Sequence, residues 1–254
     1  MSVRDTSQQA TAELLLTLAD DEFVLGFWDS EWTGIAPMLE EDVATSSIAQ
    51  DEIGHAKAWY ELLAELTDDD ADRIAFGREP EAYRHAALMN HPRTDWAFTV
   101  VRRFLYETAD AVRLEALSRS SLAEIAGLAA KMRREETYHL LHWSAWMRRL
   151  AAGAETRERV VAALERAWPD AEAIFSPLAG ESALLADGIL PDSLATLRAA
   201  WHDRTAAELS ATGLPVPAGD APPPIEGRTQ PTDDFRWLWG EFTSVARADP
   251  GATW

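Results

Sequence analysis

"QDEIGHAKAW" (residues 50–59) decides the fold. Read as a helix, it sets Glu52 and His55 on one stripe with Ile48, Trp59, Leu62 and Leu66, in steps of four, three, four, three and four. That rhythm marks a seam facing a core. A carboxylate and an imidazole do not belong among Ile, Trp and Leu unless something satisfies them. Burying even an uncharged polar group without a partner costs roughly 2–7 kcal/mol.

Working outward, three more stripes of the same kind emerge. A helix over about residues 8–33 aligns Leu15, Leu18, Glu22, Leu25 and Trp32. The helix holding Glu52 starts near Pro37, a residue suited to a first turn, and continues to about Leu66. A third follows "NHPRTD" (90–95), where Thr94 or Asp95 can cap, and aligns Ala97, Val100, Phe104, Glu107, Ala111 and Leu114. The fourth, about 121–151, carries Leu122, Ile125, Ala129, Met132, Glu136, His139, Trp143, Trp146 and Leu150. No segment alternates with period two, so the chain reads as all-α. The connection between helices 2 and 3 (67–95) is far longer than the other two turns and has room for a short helix. Two hairpins joined by a long crossover make the ferritin-like four-helix bundle.

Each stripe carries one carboxylate at mid-helix, and two carry a histidine three residues later. Glu22 precedes Glu52 by 30 residues, Glu107 precedes Glu136 by 29, and the two halves are offset by 84 or 85. Residues three apart on a helix project side by side. Glu52 with His55, and Glu136 with His139, can therefore each grip a metal ion, with Glu22 and Glu107 completing or bridging the pair. Four carboxylates and two imidazoles around two divalent ions approach neutrality, which answers the question raised by residues 50–59. The oxygen-rich, mixed donor set suits iron or manganese better than zinc. With 23 Glu and 6 His in the chain, one Glu-x-x-His arises by chance roughly half a time; two, each on a core stripe behind a mid-stripe Glu, do not. No catalytic residue is assigned beyond these ligands. Among their neighbours, Asp51 and Asp110 could accept a proton from a ligand imidazole. Tyr106, Tyr138 and His142 are weaker candidates, and Glu135 is a register alternative to Glu136.

Composition narrows the classes. A net charge of -20 and pI near 4.6 disfavour nucleic acid and anionic membranes as partners. Any anionic ligand would need a local basic patch, which the arginine pairs at 102–103, 133–134 or 148–149 could supply, although a solvated helix face is the commoner fate of such pairs. There is no cysteine, which excludes disulfides, thiolate metal sites and a cysteine nucleophile. "MSVRDTSQQATAE" (1–13) has no apolar core of a signal peptide, and no run approaches a membrane span. A cytoplasmic protein is expected. We expect a single domain over 1–254, with a core bundle at about 8–151 and an extension at about 152–254. Helices are expected there at about 155–168, 193–211 and 233–247, interrupted by the Pro-rich "GLPVPAGDAPPPIEGRTQP" (213–231), read as an extended strap. The tail "ADPGATW" (248–254) is expected to be poorly ordered unless Trp254 docks.

The stretches 18–56, 90–117 and 131–150, containing "LADDEFVLGFW", "RRFLYETADAVRLEAL" and "EETYHLLHWSAW", resemble the ferritin-like subunits of bacterial phenylacetyl-CoA epoxidase. The resemblance covers roughly residues 8–205 and the short C-terminal helix region. It implies membership of a multicomponent di-iron monooxygenase of aerobic phenylacetate degradation. Two iron ions, an aromatic acyl-CoA substrate, a homologous ferritin-like partner and a flavin/iron–sulfur reductase follow from it. Chain length and "LPDSLATLRAAW" (190–201) are similar to the family's C-type chain, the non-catalytic partner of its A-type chain. "QDEIGH" and "EETYH" look more like the A-type chain, which carries the di-iron ligands. Two further readings stand beside that of a working oxygenase component. One is a structural component with a vestigial site, and the other a stand-alone oxidase or ferroxidase.

Overall fold

The periodicities are realised as helix throughout. The computed structural model describes residues 3–218 and 227–249. Its α-helices are α1 (Val3–Ser30), α2 (Leu39–Thr67), α3 (Ala71–Phe76), α4 (Trp96–Leu117), α5 (Ala123–Ala152), α6 (Ala154–Ala171), α7 (Glu181–Ala186), α8 (Leu194–Ala211), α9 (Asp233–Phe242) and α10 (Ser244–Ala248). No strand occurs among the described residues. The chain is all-α, with the helix order of the ferritin-like class, and none of its described helices is long and apolar enough to cross a membrane. Part of the Pro-rich strap (219–226) and the end of the tail, Trp254 included, lie outside the described residues.

Helix ends follow local chemistry. The side chain of Asp95 accepts from the Phe98 amide at 2.8 Å and so starts α4; Thr94, the other capping candidate, sits outside the helix at φ 48°. Ser193 and Thr232 cap α8 and α9 in the same way. Pro37 lies one residue before the N-cap of α2, not within its first turn, and the opening dipole is met by Glu40, Glu41 and Asp42. Where the sequence carries α1 to residue 33, the helix stops at Ser30 and a run of turns leads to Gly34 at φ 83°. α6 runs past Pro169, which falls in its last turn and removes one amide donor.

The chain divides into two compact units. One comprises Thr11–Pro92 and Arg228–Trp254. In it α1 and α2 form an antiparallel hairpin: Phe23 meets Tyr60 edge-on at 5.6 Å, while Gly26 lies opposite Ala49 and Ile53. A Cβ on Gly26 would come within 3.0 Å of the Ile53 side chain and 3.1 Å of the Ala49 carbonyl, so glycine sets how closely the two helices approach. The α2 stripe drifts at its end: Ile48, Glu52, His55 and Trp59 are buried, but Leu62 and Leu66 are half-buried and Leu63 takes the inner position. A straight helix rotates away from a 3.5-residue seam in this manner. Phe235 and Phe242 of α9 pack on Tyr83, with ring centroids 5.5 and 5.8 Å away.

The other unit comprises Met1–Ala10 and Arg93–Gly227. α4 and α5 pair antiparallel there, Trp96 meeting Trp143 and Trp146 at 5.8 and 5.4 Å. Of the 22 residues of α4, 19 are buried. A bundle helix normally keeps a wet outer face; here α6 and α8 pack on α4 as well. Trp201 of α8 donates to Thr108 Oγ1 at 3.0 Å and stacks on Trp168 of α6 at 4.9 Å. The C-terminal extension is thus a second layer over α4, and it explains part of the tryptophan content. Arg102 and Arg103 are also buried, in contrast to the solvated face expected for arginine pairs. The pairs at 133–134 and 148–149 are exposed as expected.

Candidate metal centre

In the α1–α2 hairpin the stripe positions bring Glu22, Glu52 and His55 together. One ligand-capable atom of each lies within 4.8 Å of the others. Their exposures are 2, 0 and 5 %. In the α4–α5 hairpin Glu107, Glu136 and His139 converge on the same terms, with exposures of 1, 2 and 4 %. His139 Nδ1 lies 3.2 Å from Glu136 Oε1. All six residues expected from the sequence are therefore buried and gathered into two triads, each of two carboxylates and one imidazole.

The supports repeat as well. Trp59 stands four residues after His55, and Trp143 four after His139; both are fully buried. Residues four apart share a helix face, so an indole lies one turn beyond each imidazole.

The donor set passes the test for a divalent ion. Two buried carboxylates whose oxygens lie within 4.8 Å of each other and of an imidazole nitrogen repel each other when both are ionised, or bind a cation. Oxygen and imidazole donors of this kind suit iron or manganese. Among the described residues, these clusters of Glu and His are the ones able to hold such an ion.

Other candidates sort cleanly. Glu135 is exposed, so Glu136 is the inward register. Asp51 is exposed and Asp110 buried, the latter accepting from Arg113 at 2.8 Å. Tyr106 is buried, its hydroxyl accepting from Arg113 at 3.0 Å, whereas Tyr138 is 74 % exposed. His142 is half-buried and meets Trp143 edge-on at 4.8 Å.

Sequence reasoning missed the acids next to Glu22. Asp20 and Asp21 are both fully buried. Asp21 receives both guanidinium nitrogens of Arg228 at 2.8 and 2.9 Å and the Ala86 amide at 2.7 Å. Asp20 receives Arg78 Nη1 at 2.9 Å, the Arg84 amide at 2.6 Å and the Tyr60 hydroxyl at 2.5 Å. Burial, reinforced by Asp20, raises the Tyr60 pKa and keeps its proton on the phenol. For Arg78 burial opposes the charge, but Asp20 outweighs it and the guanidinium stays protonated. His85 donates to or accepts from Asn90 Oδ1 at 2.9 Å; burial lowers its pKa against the pull of that hydrogen bond. The signal in the sequence was "ADDE" (19–22): three successive acids inside an apolar helix need cations, though nothing local says which. Arg103 was likewise missed. It is fully buried and donates to Glu107, one turn along α4.

Comparison with known proteins adds to the geometry. The sequence model of the family described as phenylacetic acid catabolic protein matches residues 2–254. The chain is 29 % identical to the C subunit of 1,2-phenylacetyl-CoA epoxidase from Escherichia coli (strain K12), over 94 % of this chain and 97 % of that protein. It is 26 % identical to the A subunit of the same enzyme, over 69 % of this chain and 54 % of that protein.

Proposed function

The chain belongs to the phenylacetic acid catabolic protein family, and on that footing we propose that it is a subunit of a phenylacetyl-CoA epoxidase-type di-iron monooxygenase of aerobic phenylacetate degradation. The observation that carries the reading is the pair of buried triads, each built from one lone Glu and one Glu-x-x-His. Glu22, Glu52, His55, Glu107, Glu136 and His139 are read as the ligands of two Fe ions, with Mn the other ion the set accepts. Residues 1–254 are read on this proposal as a single ferritin-like domain.

When bound, the two ions supply dioxygen reduction and transfer of one oxygen atom to an aromatic ring. The remaining work belongs to side chains of this protein. The carboxylates bind and balance charge, and the imidazoles bind as neutral donors. Trp59 and Trp143, one turn past each histidine, are fully buried and extend the apolar stripe beyond each triad. Arg113 orders Asp110 and Tyr106 on the turn of α4 next to Glu107. The chain has no cysteine to hold an iron–sulfur cluster, which fits electron supply by a separate flavin/iron–sulfur reductase. The proposed partners are that reductase, a homologous ferritin-like chain and an aromatic acyl-CoA substrate, in the cytoplasm.

Metal content of protein purified with iron supplied tests this. About two irons per chain are expected in the wild type, with loss in Glu52→Ala/His55→Ala and in Glu136→Ala/His139→Ala. A second reading, a structural component that works without metal, is favoured by one observation: Glu107 is already paired with Arg103. If both double variants leave complex formation and epoxidation intact, the structural role is the correct one.

A further inference from the structure

Arg103 differs from an ordinary buried cation in three respects. Its guanidinium donates to Glu107, a member of the α4–α5 triad, and both side chains are fully buried. It lies against two aromatic rings, 5.9 Å from the centroid of Tyr106 and 5.7 Å from that of Trp143. Trp143 is in turn the residue one turn beyond His139. The positive charge is therefore held in place from both helices of the hairpin: by Glu107 and Tyr106 along α4, and by Trp143 on α5. Quadrupoles of the two rings favour a cation over their faces, and a guanidinium retains its proton under any condition in which the protein folds.

We propose that Arg103 is a resident counter-cation of the Glu107–Glu136–His139 triad, keeping it ordered without a metal and weakening divalent-ion binding there. The inference rests on reading the triad as metal-ligating. A carboxylate has two oxygens, so Glu107 can serve the guanidinium and a metal ion together, but only with two like charges close in a dry site. Their repulsion acts in a low effective dielectric and lowers affinity for the ion. In the absence of an ion, the same charge compensates the buried Glu107 carboxylate. Arg103 is thus a positioning residue, and the triad is metal-optional by construction.

Titration of metal-free protein with Mn2+, read by electron paramagnetic resonance and by thermal shift, tests this. The variants are Arg103→Gln, which keeps a hydrogen-bond donor for Glu107 but no charge, and Arg103→Met, which keeps the length without a donor. Arg103→Lys, retaining the charge, is the control. Loss of charge is expected to tighten Mn2+ binding about tenfold or more, lower the midpoint of the metal-free protein, and enlarge its rise on metal addition. Lysine should leave affinity near wild type. The glutamine and methionine variants are independent, so either alone suffices if the other does not fold. Equal affinity in wild type and in the uncharged variant overturns the inference while leaving the metal centre standing. Absence of bound Mn2+ in every protein, the Glu136→Ala/His139→Ala control included, overturns the metal centre and the inference with it.

Discussion

In the α1–α2 hairpin two buried acids beside the triad take their cations from far along the chain, whereas in the α4–α5 hairpin a triad acid and its neighbour Asp110 take theirs from the adjacent turn. Asp20 is bound by Arg78, 58 residues away, and Asp21 by Arg228, 207 residues away. Glu107 is bound by Arg103 and Asp110 by Arg113, four and three residues away on the same helix. The triad residues themselves repeat, Glu for Glu and His for His. What the two halves share is the make-up of the triad, and what separates them is how the surrounding charge is compensated. A pair within one helix is positioned once that helix forms. A pair that spans the chain makes the helix depend on segments that fold elsewhere.

The largest effect should come from the longest-range pair. Arg228→Met removes both guanidinium bonds to the buried Asp21 while the Ala86 amide stays, and breaking a buried pair from one side costs about 3–5 kcal/mol. Urea unfolding of the variant should show that loss; a midpoint unchanged from wild type would mean the strap does not secure α1 and would erase the contrast. On the local side, Asp95→Ala removes the cap of α4 and should cost about 1 kcal/mol. Asp95→Asn, still able to accept from Phe98, should recover most of it. The smallest effect concerns pH. His85 faces Asn90, Asp20, Asp21 and Arg228, and burial holds its pKa below the ordinary 6.5. The unfolded chain then takes up the proton first. The stability this group contributes is fully present above about pH 6.5 and is lost progressively as the pH falls toward its folded value. Denaturation curves between pH 7.5 and about 5 should show this decline, and His85→Gln should flatten it; an identical decline in the variant would assign the effect to other groups.

How much of this was legible follows the same division. The four long helices, the Asp95 cap and all six triad residues rest on spacings of three and four, which a sequence displays directly. The stripe through Glu107 also located the inner face of α4 correctly. Its other faces were hidden, because whether α4 has a wet side depends on α6 and α8 packing over it, and no local pattern in α4 encodes them. Arg102 and Arg103 were misplaced onto a solvated face; Arg103 turns instead toward Glu107 and, on α5, Trp143. "ADDE" announced a need for cations, but Arg78 and Arg228 belong to segments with no periodic relation to it. The Arg103–Glu107 pair was readable in principle at four residues' spacing; reading Glu107 as a metal ligand left no reason to look for a second partner.

The Asp21–Arg228 pair has a consequence in time. A ribosome adds roughly 5–20 residues each second, so about 10–40 s separate the synthesis of Asp21 from that of Arg228. Throughout that interval the α1–α2 hairpin exists with one of its interior acids lacking its guanidinium, because the segment that supplies it is made 207 residues later. The α1–α2 hairpin therefore completes its buried charge pairs only after residue 228 is made, and a nascent chain stalled before that point should leave it open to chaperones and proteases.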